Sequence, residues 1–392
     1  MRGVARRASL LLLPVIYLGF VSLGLPDGTM GVAWPKMHRD LALPVGLAGV
    51  LMLWVTMLAA FSGFSSGAVL RRVKTGPVVL ISCLLTGTAL LMLAEARSIV
   101  WLLLAAVPLG LGAGSVDTAL NGYVARHYTG RHMNWLHACW GIGATCGPLL
   151  MTRALASAAG WRGGYWIIGS IQLVLAAIFL CTLPLWSSQP EIARDKSAGA
   201  ASGPVPTMPA NSEAGWLSGV IFLIYVATEM TLGLWASTIL VESRGVAPTV
   251  AGLCATAYYG SITGGRIAVG FFVDRMGGRR LVSLGLALSS VGAVLFLLAP
   301  TPLLAACALV LAGLGFAPVY PCLMHEVPRR FAPEAVFTVI GRQSGFSYIG
   351  GAVFPAAAGW VAGQWTPGTI AWLIPVGVAL MAAAIIRLNR LT

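Results

Sequence analysis

The chain has 392 residues, of which 58% are hydrophobic and only 9% charged, and its mean hydropathy is +0.85. Soluble globular domains carry about 25% charged residues, so this chain cannot clothe itself in a solvated face and is expected to be an integral membrane protein. The net charge of +13 does not imply nucleic acid, because no basic run exceeds three residues and the charges fall at helix ends, where membrane topology accounts for them.

Arg2, Arg6 and Arg7 precede an apolar run that continues to Trp34 without a small-x-small cleavage site. That pattern predicts an uncleaved first helix over 8–34 rather than a signal peptide. Further runs long enough to span, about 20 residues, predict helices at 43–70, 76–95, 98–126, 133–159 and 162–186. A polar stretch rich in Pro, Ser, Ala and Gly, 187–214, reads as a linker. A second set follows at 215–241, 247–273, 280–299, 302–325, 334–362 and 366–387. The expected fold is an all-α membrane protein with twelve transmembrane helices: a six-helix bundle over 1–186, a cytoplasmic linker over 187–214 and a second six-helix bundle over 215–392.

Orientation follows from Lys and Arg. With both termini inside, inner loops and tails collect most of the 25 basic residues, including Arg71, Arg72, Lys74, Arg279 and Arg280. The outer side receives Lys36, Arg39, Arg97, Arg153, Arg162 and Arg244, while Arg266 and Arg342 fall inside spans. The positive-inside rule favours this arrangement, with the protein multi-pass in the cell membrane. The seven cysteines all lie in apolar segments with no CxxC pair and read as small core residues, not as a disulfide framework or zinc site. Glycines at close spacing, such as Gly110, Gly112 and Gly114, Gly143 and Gly147, Gly260 and Gly264, and Gly341 and Gly345, predict close helix contacts in lipid.

Three acids sit inside spans: Asp27, Asp117 and Glu229. A carboxylate at bilayer depth costs about 2.5–3.5 kcal/mol on insertion scales, so each needs a partner or a task. All three are candidates for proton coupling. Asp117 and Asn121, one helical turn apart, share a face, and Asn134 and His137 at the start of the next span are candidates to join them. These residues either bind a hydroxylated solute or serve as structural glue. Asp27 lies between Pro26 and Gly28, which loosen the helix there; it is either an outer proton acceptor or a cap on a broken helix. Glu229 either contacts substrate or forms a salt bridge to Arg266 or Arg342. Trp140 and Trp235 are candidates to stack on a solute's apolar face, or else interface anchors, and Gln343 is a further candidate contact. His127, His132 and His137 are flanked by Arg126 and Arg131, whose charge disfavours a metal ion, so none is expected. No Walker loop, nucleophile elbow or HExxH occurs, which removes support for ATP-driven transport or membrane hydrolysis.

Two groups of motifs carry a family resemblance. Gly270-Phe-Phe-Val-Asp274-Arg275-Met-Gly277-Gly278-Arg279-Arg280 resembles the Gly-x-x-x-Asp-Arg-x-Gly-Arg-Arg loop of the major facilitator superfamily. The resemblance implies that Asp274, Arg275, Arg279 and Arg280 latch neighbouring helix ends on the inner side. The first-half counterpart, Gly67 to Gly76, keeps Arg71, Arg72 and Lys74 but lacks the acid. Asp117-Thr-Ala-Leu-Asn121, then Asn134-Trp-Leu-His137 with Gly143-Ala, resembles the fucose/galactose/glucose:proton symporter family, as do Pro26-Asp27-Gly28 and Tyr225-Val-Ala-Thr-Glu229. That family commonly has Glu at the position of Asp117 and Gln at that of His137. The resemblance implies alternating access and proton-coupled uptake of a sugar or similar polar solute, with no cofactor besides the coupling ion, sodium being left open. The expected partners are a small-molecule substrate and the bilayer, with no nucleic acid, and the chain is expected to act as a monomer and not as an enzyme. The rivals are proton-driven efflux of drugs or metabolites, and a non-transporting membrane receptor or enzyme.

Overall fold

The computed structural model describes residues 2–44, 47–186 and 207–392. Among them every regular element is helical. The elements are α1 (Arg2–Gly24), α2 (Thr29–Asp40), α3 (Leu47–Arg72), α4 (Thr75–Ala94), α5 (Ile99–His127), α6 (Gly130–Leu155) and α7 (Gly160–Trp186). After residues 187–206, which lie outside the described part and take in most of the expected linker, come α8 (Glu213–Thr238), α9 (Pro248–Met276), α10 (Gly278–Leu298), α11 (Pro302–Phe316), α12 (Val319–His325), α13 (Val327–Arg330), α14 (Val336–Gln364) and α15 (Ile370–Leu391). Taking α1 with α2 and α11 with α12 as broken rods, and α13 as a connector, these are the twelve expected spans.

Local chemistry sets the ends. Ser98 caps α5 by accepting from Trp101 N, Ser212 caps α8 by accepting from Gly215 N, and Thr301 caps α11 by accepting from Leu304 N. Pro302 occupies the first turn of α11, where its missing N–H costs nothing. Gly277 turns the chain between α9 and α10 at φ +82, a conformation that side chains resist. The first rod breaks where Pro26 and Gly28 predict, with Gly28 at φ +74. It then continues past Trp34 to Asp40, which accepts from the indole of buried Trp161 at 2.8 Å.

Nine described helical segments are long and apolar enough to cross a bilayer. The rods α6, α9 and α14 are similarly long and carry polar residues within them, among them His137, Arg266 and Arg342. Large apolar side chains point outward, among them Leu11, Phe61, Leu303 and Trp360. Water would oppose such a surface, whereas lipid accommodates it.

The chain divides into two compact units, Met1–Tyr128 with Cys139–Val205, and Thr129–Ala138 with Pro206–Thr392. In the first, α4 packs on α7 and α5, and α3 packs on α5. Its core gathers Trp34, Met37, Leu90, Leu102, Trp161 and Tyr165. In the second, α8 packs on α14 and α15, and α11 joins α10 to α9. In each unit an arginine expected on the outer side closes a helix C-terminus. Arg162 donates to Ala94 O at 2.6 Å and Ala96 O at 2.8 Å after α4, and Arg244 donates to Phe296 O at 2.6 Å near the end of α10. Both satisfy carbonyls that a helix end leaves without a partner.

Candidate functional site

In the first unit the site forms around the broken first rod. Pro26 has no N–H to continue the helix, and its carbonyl accepts from Thr29 Oγ1 at 2.6 Å. Asp27 is thereby placed on the turn, exposed, with its Oδ2 accepting from Trp140 Nε1 at 2.8 Å. Glycines on α6 bring that tryptophan within reach. A Cβ added at Gly143 would overlap Val21 O, and one at Gly147 would overlap Leu25 O, so α6 lies directly against the last turn of α1. A cavity of about 110 Å³ adjoins the turn, lined by Asp27, Ser22, Thr29, Thr86 and Tyr165 together with a mostly apolar wall. Beside it, Gln172 Nε2 donates to Ser22 O at 2.6 Å, and Cys83 Sγ donates to Gln172 O at 3.1 Å.

Asp117 is buried on α5. Asn121 Nδ2 donates to Asp117 Oδ1 at 2.8 Å and also to Asp117 O at 3.0 Å. The helical spacing therefore does bring acid and amide together. The amide N–H is engaged with the acid itself.

In the second unit, Glu229 on α8 meets Arg266 on α9, with Oε1 and Nη2 3.5 Å apart and both side chains buried. The salt bridge to Arg266, one of the readings open for Glu229, is formed. Tyrosines surround the pair: Tyr258 donates to Glu229 O at 2.9 Å, and Tyr225 donates to Phe316 O at 3.2 Å. Arg342 instead bonds Ala210 O and Asn211 Oδ1 and lies 4.0 Å over the Trp216 ring. Gln343 is buried and donates to Ser218 Oγ at 2.7 Å, between α14 and α8. Trp235 donates to Pro355 O at 2.9 Å and fills the space over Gly359. Asn134 is fully buried, donating to Gly130 O at 2.9 Å and lying 3.8 Å from Cys322 Sγ, while His137 packs edge-on against Tyr320.

The motif loop after α9 is also built. Asp274 accepts from Thr129 Oγ1 at 3.0 Å and from Arg131 N at 3.3 Å, with Arg131 Nε 3.6 Å away. An acid thus sits on the N-terminus of α6, where free N–H groups and the helix dipole favour it. Gly270, the first residue of the motif, leaves room for the Trp135 ring. Arg279 reaches Glu326 at 3.6 Å, and Arg329 reaches the same acid at 2.8 Å. Arg275 and Arg280 are exposed. Glu326 was not singled out from the sequence, although its spacing to Arg329 marks a one-turn pair. Gly260 and Gly264 differ from expectation: a Cβ at either would meet nothing within 4 Å, so they form no close helix contact.

Nine described helical segments long and apolar enough to cross a bilayer define a multi-pass membrane protein fold. The family profile described as Major Facilitator Superfamily matches residues 16–218 and 217–391. The chain belongs to this superfamily, whose members move small molecules across membranes. An uncharacterized MFS-type transporter of Yersinia pestis is 22% identical over 389 residues, covering 95% of this chain and 91% of that protein. The E. coli fucose:proton symporter FucP, in its outward conformation, is similar with a TM-score of 0.75 at 14% identity, covering 97% of this chain and 99% of the other. The proton:xylose symporter XylE is similar with a TM-score of 0.77 at 11% identity, covering 99% and 97%.

Proposed function

We propose that this protein takes up a sugar or a similar hydroxylated small solute together with protons, by alternating access between its two halves, in the cell membrane with both termini cytoplasmic. The observation that carries the reading is Asp27. It is a carboxylate at bilayer depth, on a broken helix, exposed, and held by the neutral indole of Trp140. A carboxylate held by a neutral donor takes up and releases a proton without separating an ion pair. Asp117, buried on α5 with Oδ1 accepting from Asn121 Nδ2, is the second carboxylate we assign to coupling. The Glu229–Arg266 pair supplies fixed, mutually neutralising charge in the second half. The sugar assignment is supported by the fold similarity to FucP and XylE, both named as sugar:proton symporters.

Reconstituted protein screened by counterflow with a panel of labelled sugars tests the substrate class. Asp27→Asn and Asp117→Asn then test coupling, since an amide mimics the protonated acid yet carries no proton. Counterflow of the identified sugar should persist in at least one of these variants while its uphill accumulation disappears. Wild-type accumulation in both variants would remove these acids from coupling, and absence of counterflow for every sugar would remove the substrate class.

A further inference from the structure

The second unit holds a cluster of charge that the transport reading does not use. Arg279 at the start of α10, and Arg329 and Arg330 on α13, surround a single acid, the buried Glu326. Its two oxygens are both engaged, Oε1 by Arg329 Nη1 at 2.8 Å and Oε2 by Arg279 Nε at 3.6 Å. Arg330 is itself buried, at 5% exposure, and its Nη1 donates to Thr392 Oγ1 at 3.0 Å. Its Nε and Nη2 have no hydrogen-bond partner. These two nitrogens share one edge of the guanidinium, and their N–H bonds run parallel. That edge is the fork that grips two oxygens of an oxyanion.

A buried donor without a partner forfeits its hydration, so two on one edge call for an occupant. Glu326 forms no hydrogen bond to either nitrogen and is shared with Arg329 and Arg279, so the arginines around it outnumber the acid. Burial and the nearby Arg279 charge hold the Arg330 guanidinium down to about 10, still protonated at neutral pH. An anion on the fork would relieve both effects.

We propose that the Nε/Nη2 edge of Arg330 binds a phosphate group, among α13, the start of α10 and the end of α15. The group is either the phosphodiester of an anionic lipid or free phosphate. Basic pockets at the ends of membrane helices suit lipid headgroups.

The test uses the full chain. In detergent, thermal melting and hydrogen exchange are compared in inorganic phosphate and in chloride at equal ionic strength. In nanodiscs, phosphatidylcholine is compared with a mixture containing phosphatidylglycerol, and native mass spectrometry counts the retained lipid. Protection by phosphate alone assigns the site to a soluble anion. Protection or retention only with phosphatidylglycerol assigns it to lipid, and both together establish the shared chemistry. Arg330→Lys keeps the charge but removes the fork and should weaken the effect about 10-fold or more, whereas Arg390→Lys, at an exposed arginine of the same end of α15, should not. If Arg330→Lys does not fold, the parent still decides, because the amides of Val327, Arg329, Arg330 and 388–392 should exchange more slowly with phosphate or phosphatidylglycerol present. No effect of either in the parent, or an equal effect in a folded Arg330→Lys, overturns the proposal.

Discussion

At the scale of single residues, the acids inside the spans differ by what holds them. Asp27 and Asp117 accept from an indole and an amide, while Glu229 faces a guanidinium. Removing one member of a buried ion pair leaves an uncompensated charge and costs about 3–5 kcal/mol, whereas removing both is far milder. Glu229→Gln should therefore lower the melting temperature of the purified protein sharply, and Glu229→Gln with Arg266→Gln should recover most of it. A single variant as stable as the parent would mean that the pair does not form. The sequence made all three acids visible, because a charge stands out in an apolar run. It did not reveal their partners when these are distant: Trp140 lies 113 positions from Asp27, and no local pattern links them. Asn121, one turn from Asp117, was legible for the opposite reason.

At the scale of elements, the spans were readable because a bilayer leaves the backbone no partner but its own helix. Their ends were set by Pro, Gly and charge. Close packing was less readable, since a glycine's spacing does not say which way it faces. Gly147 abuts the carbonyl of Leu25 at the break in the first rod, while Gly260 on α9 faces open space. Gly147→Ala is expected to destabilise by about 1–3 kcal/mol through overpacking. Gly260→Ala is expected to be neutral or to stabilise by up to about 1 kcal/mol through helix propensity. Paired melting curves check both; equal tolerance at the two positions would contradict the α1–α6 contact. Trp235 and Gln343 teach the same lesson from the other side. Both are candidates for a solute contact, and each donates across the α8–α14 contact, a partner that sequence spacing alone does not give.

At the scale of the whole molecule, the proposed orientation rests on charge and the proposed uptake on proton coupling. With most basic loops inside, a cysteine at Thr207, just before α8, is expected on the cytoplasmic side. In a background freed of the seven native cysteines, Thr207→Cys should resist impermeant thiol reagents in intact cells and react after permeabilisation. Labelling from outside would invert the topology. Family membership was legible in the Gly270–Arg280 loop, whose glycines serve a turn and a packing contact and whose Asp274 meets the start of α6. The solute was not legible to the same degree, because hydroxyl-binding amides and acids look alike until their hydrogen bonds are known. The central claim is that solute and proton move together, and proton flux measures it most directly. Proteoliposomes loaded with a pH-sensitive dye receive the sugar identified by counterflow, with no imposed gradient. The account predicts that the lumen acidifies as the sugar enters, that a protonophore abolishes the signal, and that Asp27→Asn or Asp117→Asn lacks it. Sugar entry with an unchanged lumen pH, or with alkalinisation, would contradict it.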